Sequence, residues 1–156
     1  MHDTYSILRH PDPRLRTRAK PVLVFDDRLK GITEKMLATM YAANGVGLAG
    51  TQVDIHERVV VMDVAAGNEP IVLINPTLVW KSDDLVEAPE GCLSVPQQRA
   101  LVSRYRAVRV EYMDLSGGSA SMDAEGLKAV CIQHEIDHLY GHLFIEKATD
   151  LQKVGD

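Results

Sequence analysis

His134-Glu135-Ile136-Asp137-His138 is the stretch of this chain whose residue types and spacing could do chemistry. On a helix, residues four apart lie one above the other on the same face, so both imidazoles can reach one metal ion. Glu135, one step round from the first imidazole, stands where a carboxylate can take a proton from an attacking water. That combination is hydrolytic. In the run from 124 to 139, Leu127, Val130, Cys131, His134 and His138 recur at the spacing of one buried helical face. The two histidines therefore lie on the apolar stripe, and Gly141 supplies a left-handed helix end.

Two histidines leave a tetrahedral site short of one protein ligand, with the fourth position left for water. Metzincin proteases place a third histidine where this chain has Phe144, and His142 comes two positions too early, reading as a solvated residue past the helix end. Other zinc peptidases take a Glu about twenty or more residues further on, and Glu146 is the sole Glu after His138. Neither protease pattern is met. Cys92, in Glu90-Gly91-Cys92-Leu93-Ser94, is the better third donor. It follows a glycine and precedes an extended run at 99–103, which puts it on a turn or strand edge. A thiolate with two imidazoles suits a divalent transition metal. Cys131 competes for the role, but so close before His134 on one helix face it would crowd that ligand, and packing beside the site is its expected part. A Cys92–Cys131 disulfide is not expected in a chain without a secretory segment.

Taken in order, Gly45-Val46-Gly47-Leu48-Ala49-Gly50-Thr51-Gln52, Glu90 to Ser94 and His134 to His138 resemble the three motifs of peptide deformylases, and the similarity runs from about Ile7 to Ile145. The first motif usually carries Ala where this chain has Gly50, which could loosen the loop without removing a reactive group. The resemblance implies that Cys92, His134 and His138 hold one divalent metal, with Fe2+ ahead of Zn2+, Ni2+ or Co2+. It implies Glu135 as general base and then acid, and the Leu93 backbone N–H with the Gln52 side-chain amide as oxyanion donors. The substrate would be an N-formylmethionyl peptide of a nascent chain, cleaved to release formate. Its methionine side chain would enter a pocket lined by Val46, Leu127, Val130 and Cys131, while backbone at Val46, Gly47 and Gly91 pairs with the peptide as an added strand. Asp137 would orient the groups at the metal, with Arg104 as its partner. Many relatives continue past Ile145 into a basic C-terminal helix, so ribosome docking falls outside what the resemblance implies here. Three rival classes stay open at this point: an ordinary metallopeptidase, a metal-carrying structural protein, and a hydrolase of another small N-acyl group.

The elements that must position these residues follow from periodicity. Gly45, Gly47 and Gly50 spell the dinucleotide fingerprint, but a helical pattern (Leu29, Ile32, Met36, Met40) precedes them and a strand-like run at 58–64 follows. That order is the reverse of what a nicotinamide or flavin site requires. The glycines read instead as a loop whose backbone closely approaches a peptide. Asp26 or Asp27 caps the first helix, and Pro11-Asp12-Pro13 turns into a short helix before it. Further strands are expected at 71–74, 78–81, 99–103 and 107–112, with Ser116-Gly117-Gly118 as a hairpin turn. The expected fold is α+β, one catalytic domain over 1–156, with antiparallel β-sheets packed around a central helix that carries the metal motif. With 156 residues, 46% hydrophobic, the chain can bury a sizeable core. A net charge of −5 argues against a general nucleic-acid or membrane surface, and Arg14, Arg16, Arg18 and Lys20 read as a solvated loop. No apolar run reaches membrane-span length, two cysteines suit a reducing cytoplasm, and a monomer is expected.

Overall fold

The computed structural model describes residues 3–65, 67–144 and 148–153, so Ile145 and Glu146 lie outside the described residues. Two antiparallel sheets and two helices make up the fold. The first sheet has the order β1-β2-β3-β6-β7, built from Gly47–Ala49, Val59–Met62, Ile71–Lys81, Ala107–Met113 and Ser119–Glu125. The second has the order β4-β5-β8, built from Leu85–Cys92, Val95–Tyr105 and Ala148–Lys153. Helix α1 spans Asp27–Ala42 and starts at Asp26, whose carboxylate accepts the Leu29 N–H at 3.2 Å. Helix α2 spans Leu127–Leu139.

Strand β2 shows why the sheet ends up between two helices. All of its residues are buried. Val59 and Val61 pack with Leu29, Ile32, Met36 and Met40 of α1, while Val60 and Met62 pack with Cys131, Ile132 and Ile136 of α2. Alternate side chains point to opposite faces, so a strand covered on both faces must be apolar throughout. Helix α2 is in turn enclosed along most of its surface, ten of its thirteen residues being buried. Among the described residues, β1 pairs only with β2 and β4 only with β5, which leaves each with a free edge.

Several boundaries differ from the sequence expectation, each for a local reason. The second helix begins at Leu127 and not at 124, because Gly126 takes φ 66° and Ala124 and Glu125 complete β7. The runs at 71–74 and 78–81 are one strand, β3, which continues through Asn75 at φ 52° by shifting register there. Pro89 and Gly91 hid β4, yet it is an edge strand, where a missing N–H leaves no bond unmade. Strand β7 was concealed by its polar alternation, and β1 by its length of three residues.

The end of α2 is held as the sequence suggests. Gly141 takes φ 81°, and its N–H reaches the His138 carbonyl at 3.0 Å while the His142 N–H reaches that of Asp137 at 2.9 Å. This pair of bonds is a Schellman turn. His142 itself is exposed. A methyl group at Gly141 would run into the Arg16 backbone carbonyl. Gly141→Ala is therefore expected to cost at least about 2 kcal/mol, strain at positive φ adding to the collision. Denaturant unfolding measures this, and a midpoint equal to the parent's would show that the turn is not under this constraint.

Candidate metal centre and catalytic cleft

Two elements, β4 and α2, bring the candidate ligands together. Cys92 ends β4, in a tight hairpin where it faces Val95, with the register shifted between Glu90 and Cys92. His134 and His138 face it from α2, both buried. The Cys92 Sγ lies 3.3 Å from His138 Nε2, and the two Nε2 atoms lie 3.2 Å apart. All three donors fall within 4.8 Å of one another. Tetrahedral bonds of about 2.0–2.3 Å would put ligand atoms about 3.3–3.6 Å apart, so the set matches a small divalent ion. Cys131 is not part of it. Its thiol is free and buried, weakly directed at the Val46 carbonyl at 3.8 Å. Burial, with the charges of Glu135 and Glu90 nearby, pushes that thiol well above its ordinary pKa.

Protonation within the set points the same way. Burial works against charge on both imidazoles. Hydrogen bonds to Cys92 and Glu90 nevertheless hold His134 well above its ordinary pKa, while burial and the neighbouring positive charges push His138 well below. A metal ion bound by these imidazoles would displace such protons. Phe144, standing where a third histidine would complete a protease site, stacks on the His134 ring with centroids 6.0 Å apart.

Glu135 is an unanswered polar group in this buried corner. It is 4% accessible, and its Oε1 has no hydrogen-bond partner. Burial pushes its pKa up to about 7, with His134 opposing the rise and Glu90 adding to it. A carboxyl poised near neutrality is suited to moving protons in either direction. Gln52 lies in the same corner, its Oε1 accepting the Ala49 N–H at 2.9 Å and its Nε2 donating to Ser94 Oγ at 3.0 Å, with Cys92 Sγ at 3.5 Å.

These groups open into a cavity of about 910 Å³. Val46, Gly47, Gly91, Leu127, Val130 and Cys131 all line it, as do Gln52, Cys92, Leu93, His134 and Glu135. Leu127 belongs to the apolar stripe of α2 but is 59% exposed, and Val46 is 45% exposed, because both face the cleft and not the core. The close approach at the first-motif glycines is to the protein itself. A Cβ at Gly45 would meet Leu93 Cδ1 at 2.7 Å, and one at Gly47 would meet Glu135 Oε2 at 2.5 Å and Cys131 Sγ at 2.7 Å. At Gly91 the nearest atoms are 3.7 Å away, so this glycine is not demanded by packing.

The sequence reading passed over Glu90. Its Oε1 accepts the His134 Nδ1–H at 2.9 Å, and Arg104 grips both of its oxygens at 2.8 and 2.9 Å. Burial alone would raise its pKa, but Arg104 and His134 outweigh burial and hold it below the usual carboxylate range. Arg104 also reaches Asp137 Oδ2 at 2.6 Å, the partnership expected from sequence. A Glu inside the same motif as Cys92 was the available signal.

Residues 4–154 match the family model for polypeptide deformylase. The chain belongs to that family. It is 48% identical over 149 residues to peptide deformylase 1 of Ralstonia nicotianae, covering 95% of this chain and 88% of that protein. It is 49% identical over 151 residues to the peptide deformylase of Pseudoalteromonas translucida, covering 96% and 90%. Among solved structures, the peptide deformylase of Thermotoga maritima superposes with a TM-score of 0.91 at 42% identity, covering 95% of this chain and 99% of that one. Peptide deformylases are metal-dependent hydrolases that remove the formyl group from newly made chains, and this protein is one of them by family. Its Gly50, where the deformylase motif usually carries Ala, is not idle. A methyl there would lie 2.5 Å from the Ile55 carbonyl oxygen and 3.0 Å from that of Glu57, so the following turn has closed into the space.

The raised pKa of Glu135 makes a stability prediction for the metal-free deformylase. A folded pKa of about 7 against an ordinary carboxyl value of 4.5 means the folded state binds the proton more tightly. Stability contributed this way is complete below about pH 4.5 and is lost as pH rises through about 7. Glu135→Gln removes the charge that must otherwise be buried. It should stabilise the metal-free protein by about 1–3 kcal/mol at pH 8 and by little at pH 5. Denaturant unfolding at the two pH values tests this, and an equal effect at both would place the titration elsewhere.

Proposed function

We propose that this protein removes the N-formyl group from the N-terminal methionine of nascent polypeptides as a single catalytic domain, with one divalent metal held by Cys92, His134 and His138. The observation that carries this reading is the buried, unpartnered Glu135 carboxyl beside a cysteine sulfur and two imidazoles at the foot of an apolar cleft. When bound, the metal would act as a Lewis acid toward the formyl oxygen and make water more acidic. Thiolate with two imidazoles accepts Fe2+, Zn2+, Ni2+ or Co2+, and likeness to the family favours Fe2+.

Glu135 takes the proton of the attacking water and returns one to the departing amine. Charge gathering on the former carbonyl oxygen is met by the Leu93 N–H and the Gln52 amide. Gln52 is held for this by Ala49 and Ser94. The peptide enters as an extended strand between the free edges of β1 and β4, bonding to backbone at Val46, Gly47 and Gly91. Its methionine side chain covers Val46 and Leu127, both partly exposed on the cleft wall, and reaches Val130 and Cys131. In this reading the enzyme works as a cytoplasmic monomer. No helix among the described residues is long and apolar enough to cross a membrane.

Formate release from formyl-methionyl, acetyl-methionyl and unmodified methionyl peptides tests the function. Turnover is expected on the formyl peptide alone, and a preference for acetyl would assign the cleft to another acyl group. Glu135→Gln should keep the metal while lowering kcat at least about a hundredfold, since an amide cannot accept the proton. More than a tenth of the parent kcat at equal metal content would remove Glu135 from this role.

The two cysteines separate just as cleanly. Cys92→Ser should lose metal on dialysis, whereas Cys131→Ser should keep nearly all of it and change mainly KM. Metal analysis of both variants measures this, and retention by the first with loss from the second would move the ligand to Cys131.

A further inference from the structure

Within the buried polar network, one side chain touches the neighbourhood of every proposed ligand without being a ligand. Arg104, on β5, is 3% accessible. Its Nε and one terminal nitrogen grip the Glu90 carboxylate at 2.8 and 2.9 Å, and its other terminal nitrogen donates to Asp137 at 2.6 Å. Glu90 in turn accepts the His134 Nδ1–H at 2.9 Å. Along the chain, Glu90 precedes Cys92 by two residues, and Asp137 is the residue before His138. We propose that Arg104 is a positioning residue of the metal centre. Its guanidinium ties the strand that carries Cys92 to the helix that carries both histidines, and so sets the shape of the ligand triangle.

The chemistry of the fork supports this over a simple charge balance. Only a planar guanidinium can hold one carboxylate by two parallel bonds and still present a third direction to another. A lysine ammonium in the same place would keep the charge but not the angles. The two imidazoles are also supported unequally. His134 Nδ1 is pinned by Glu90, whereas His138 Nδ1 has no hydrogen-bond partner. The orientation of His138 therefore depends on the backbone of α2 at Asp137, where Arg104 pulls. A ligand set aligned on one side by a hydrogen bond and on the other by a helix anchor responds to loss of the anchor even when every ligand remains.

This inference rests on Cys92, His134 and His138 being the metal ligands, and the experiment keeps the two apart. Parent, Arg104→Lys and the pair Glu90→Gln/Arg104→Met are stripped of metal and loaded with Co2+. Visible absorption then reports thiolate and imidazole coordination directly, and exchange into a chelator reports release. The pair variant leaves no buried Glu90 charge and still offers His134 an oxygen. If the parent shows no thiolate–cobalt absorption, the ligand assignment itself fails. With that absorption present in the parent, both variants should remain folded, shift the cobalt bands, and release the ion at least about tenfold faster. Lower kcat with KM nearly unchanged should accompany the spectral shift. Variants with parent-like bands and release rates would overturn the proposal, whatever their activity. So would failure of both to fold, since Arg104 would then be a general staple of the structure. Recovery of parent bands by Arg104→Lys alone would likewise reduce its role to charge.

Discussion

Taking polar groups out of water is costly unless each is answered, and helix α2 takes several out at once. His134, Glu135, His138 and Gln133 all sit on a helix packed between a sheet and a hairpin. Gln133 is answered by the Tyr105 backbone, bonding to its N–H at 3.0 Å and its carbonyl at 2.9 Å. His134 is answered by Glu90, and Glu90 by Arg104. Only Glu135 Oε1 and the outer nitrogen of His138 are left over on this helix. The neighbouring strands supply these answers: β4 delivers Glu90, and β5 delivers Arg104 and the Tyr105 backbone.

The same packing explains the apolar parts. Strand β2 could not serve two helices with an alternating polar pattern, so its two faces supply separate clusters, one under α1 and one under α2. Buried hydrocarbon around the polar corner raises the cost of charge there, which is what lifts the Glu135 carboxyl toward neutrality. Packing and reactivity are in this sense one property of α2.

What could be read from sequence was chemistry carried by short-range spacing. His134, Glu135 and His138 lie within a single turn, and Cys92 is marked by its glycine and the extended run behind it. The cap at Asp26 or Asp27 and the Gly141 stop are local signals too, and the structure selects Asp26 as the cap. Glu90 offered only its place in the Cys92 motif as a signal, because a Glu on a strand resembles a solvated charge until β5 and α2 close over it. Strand β4 was hidden by Pro89 and Gly91, which mark turns unless one edge of the strand is free. The helix start was misplaced because Ala124 fits a helical stripe equally well, and only the φ of Gly126 breaks it. Periodicity alone put Leu127 on a buried face, and the family resemblance assigned it to a pocket: periodicity reveals an apolar face but not whether protein or a cleft lies against it.

Strands β1 and β4 belong to different sheets and turn their unpaired edges toward the same cleft. Such walls present amide and carbonyl groups at the fixed repeat of an extended chain, and every polypeptide shares that repeat. An occupant beyond its first residue would be recognised by its main chain, with side chains left to point outward. Discrimination would then be concentrated at one end and tolerance spread along the rest. That division suits a catalyst that must process thousands of unrelated sequences having only their first residue in common.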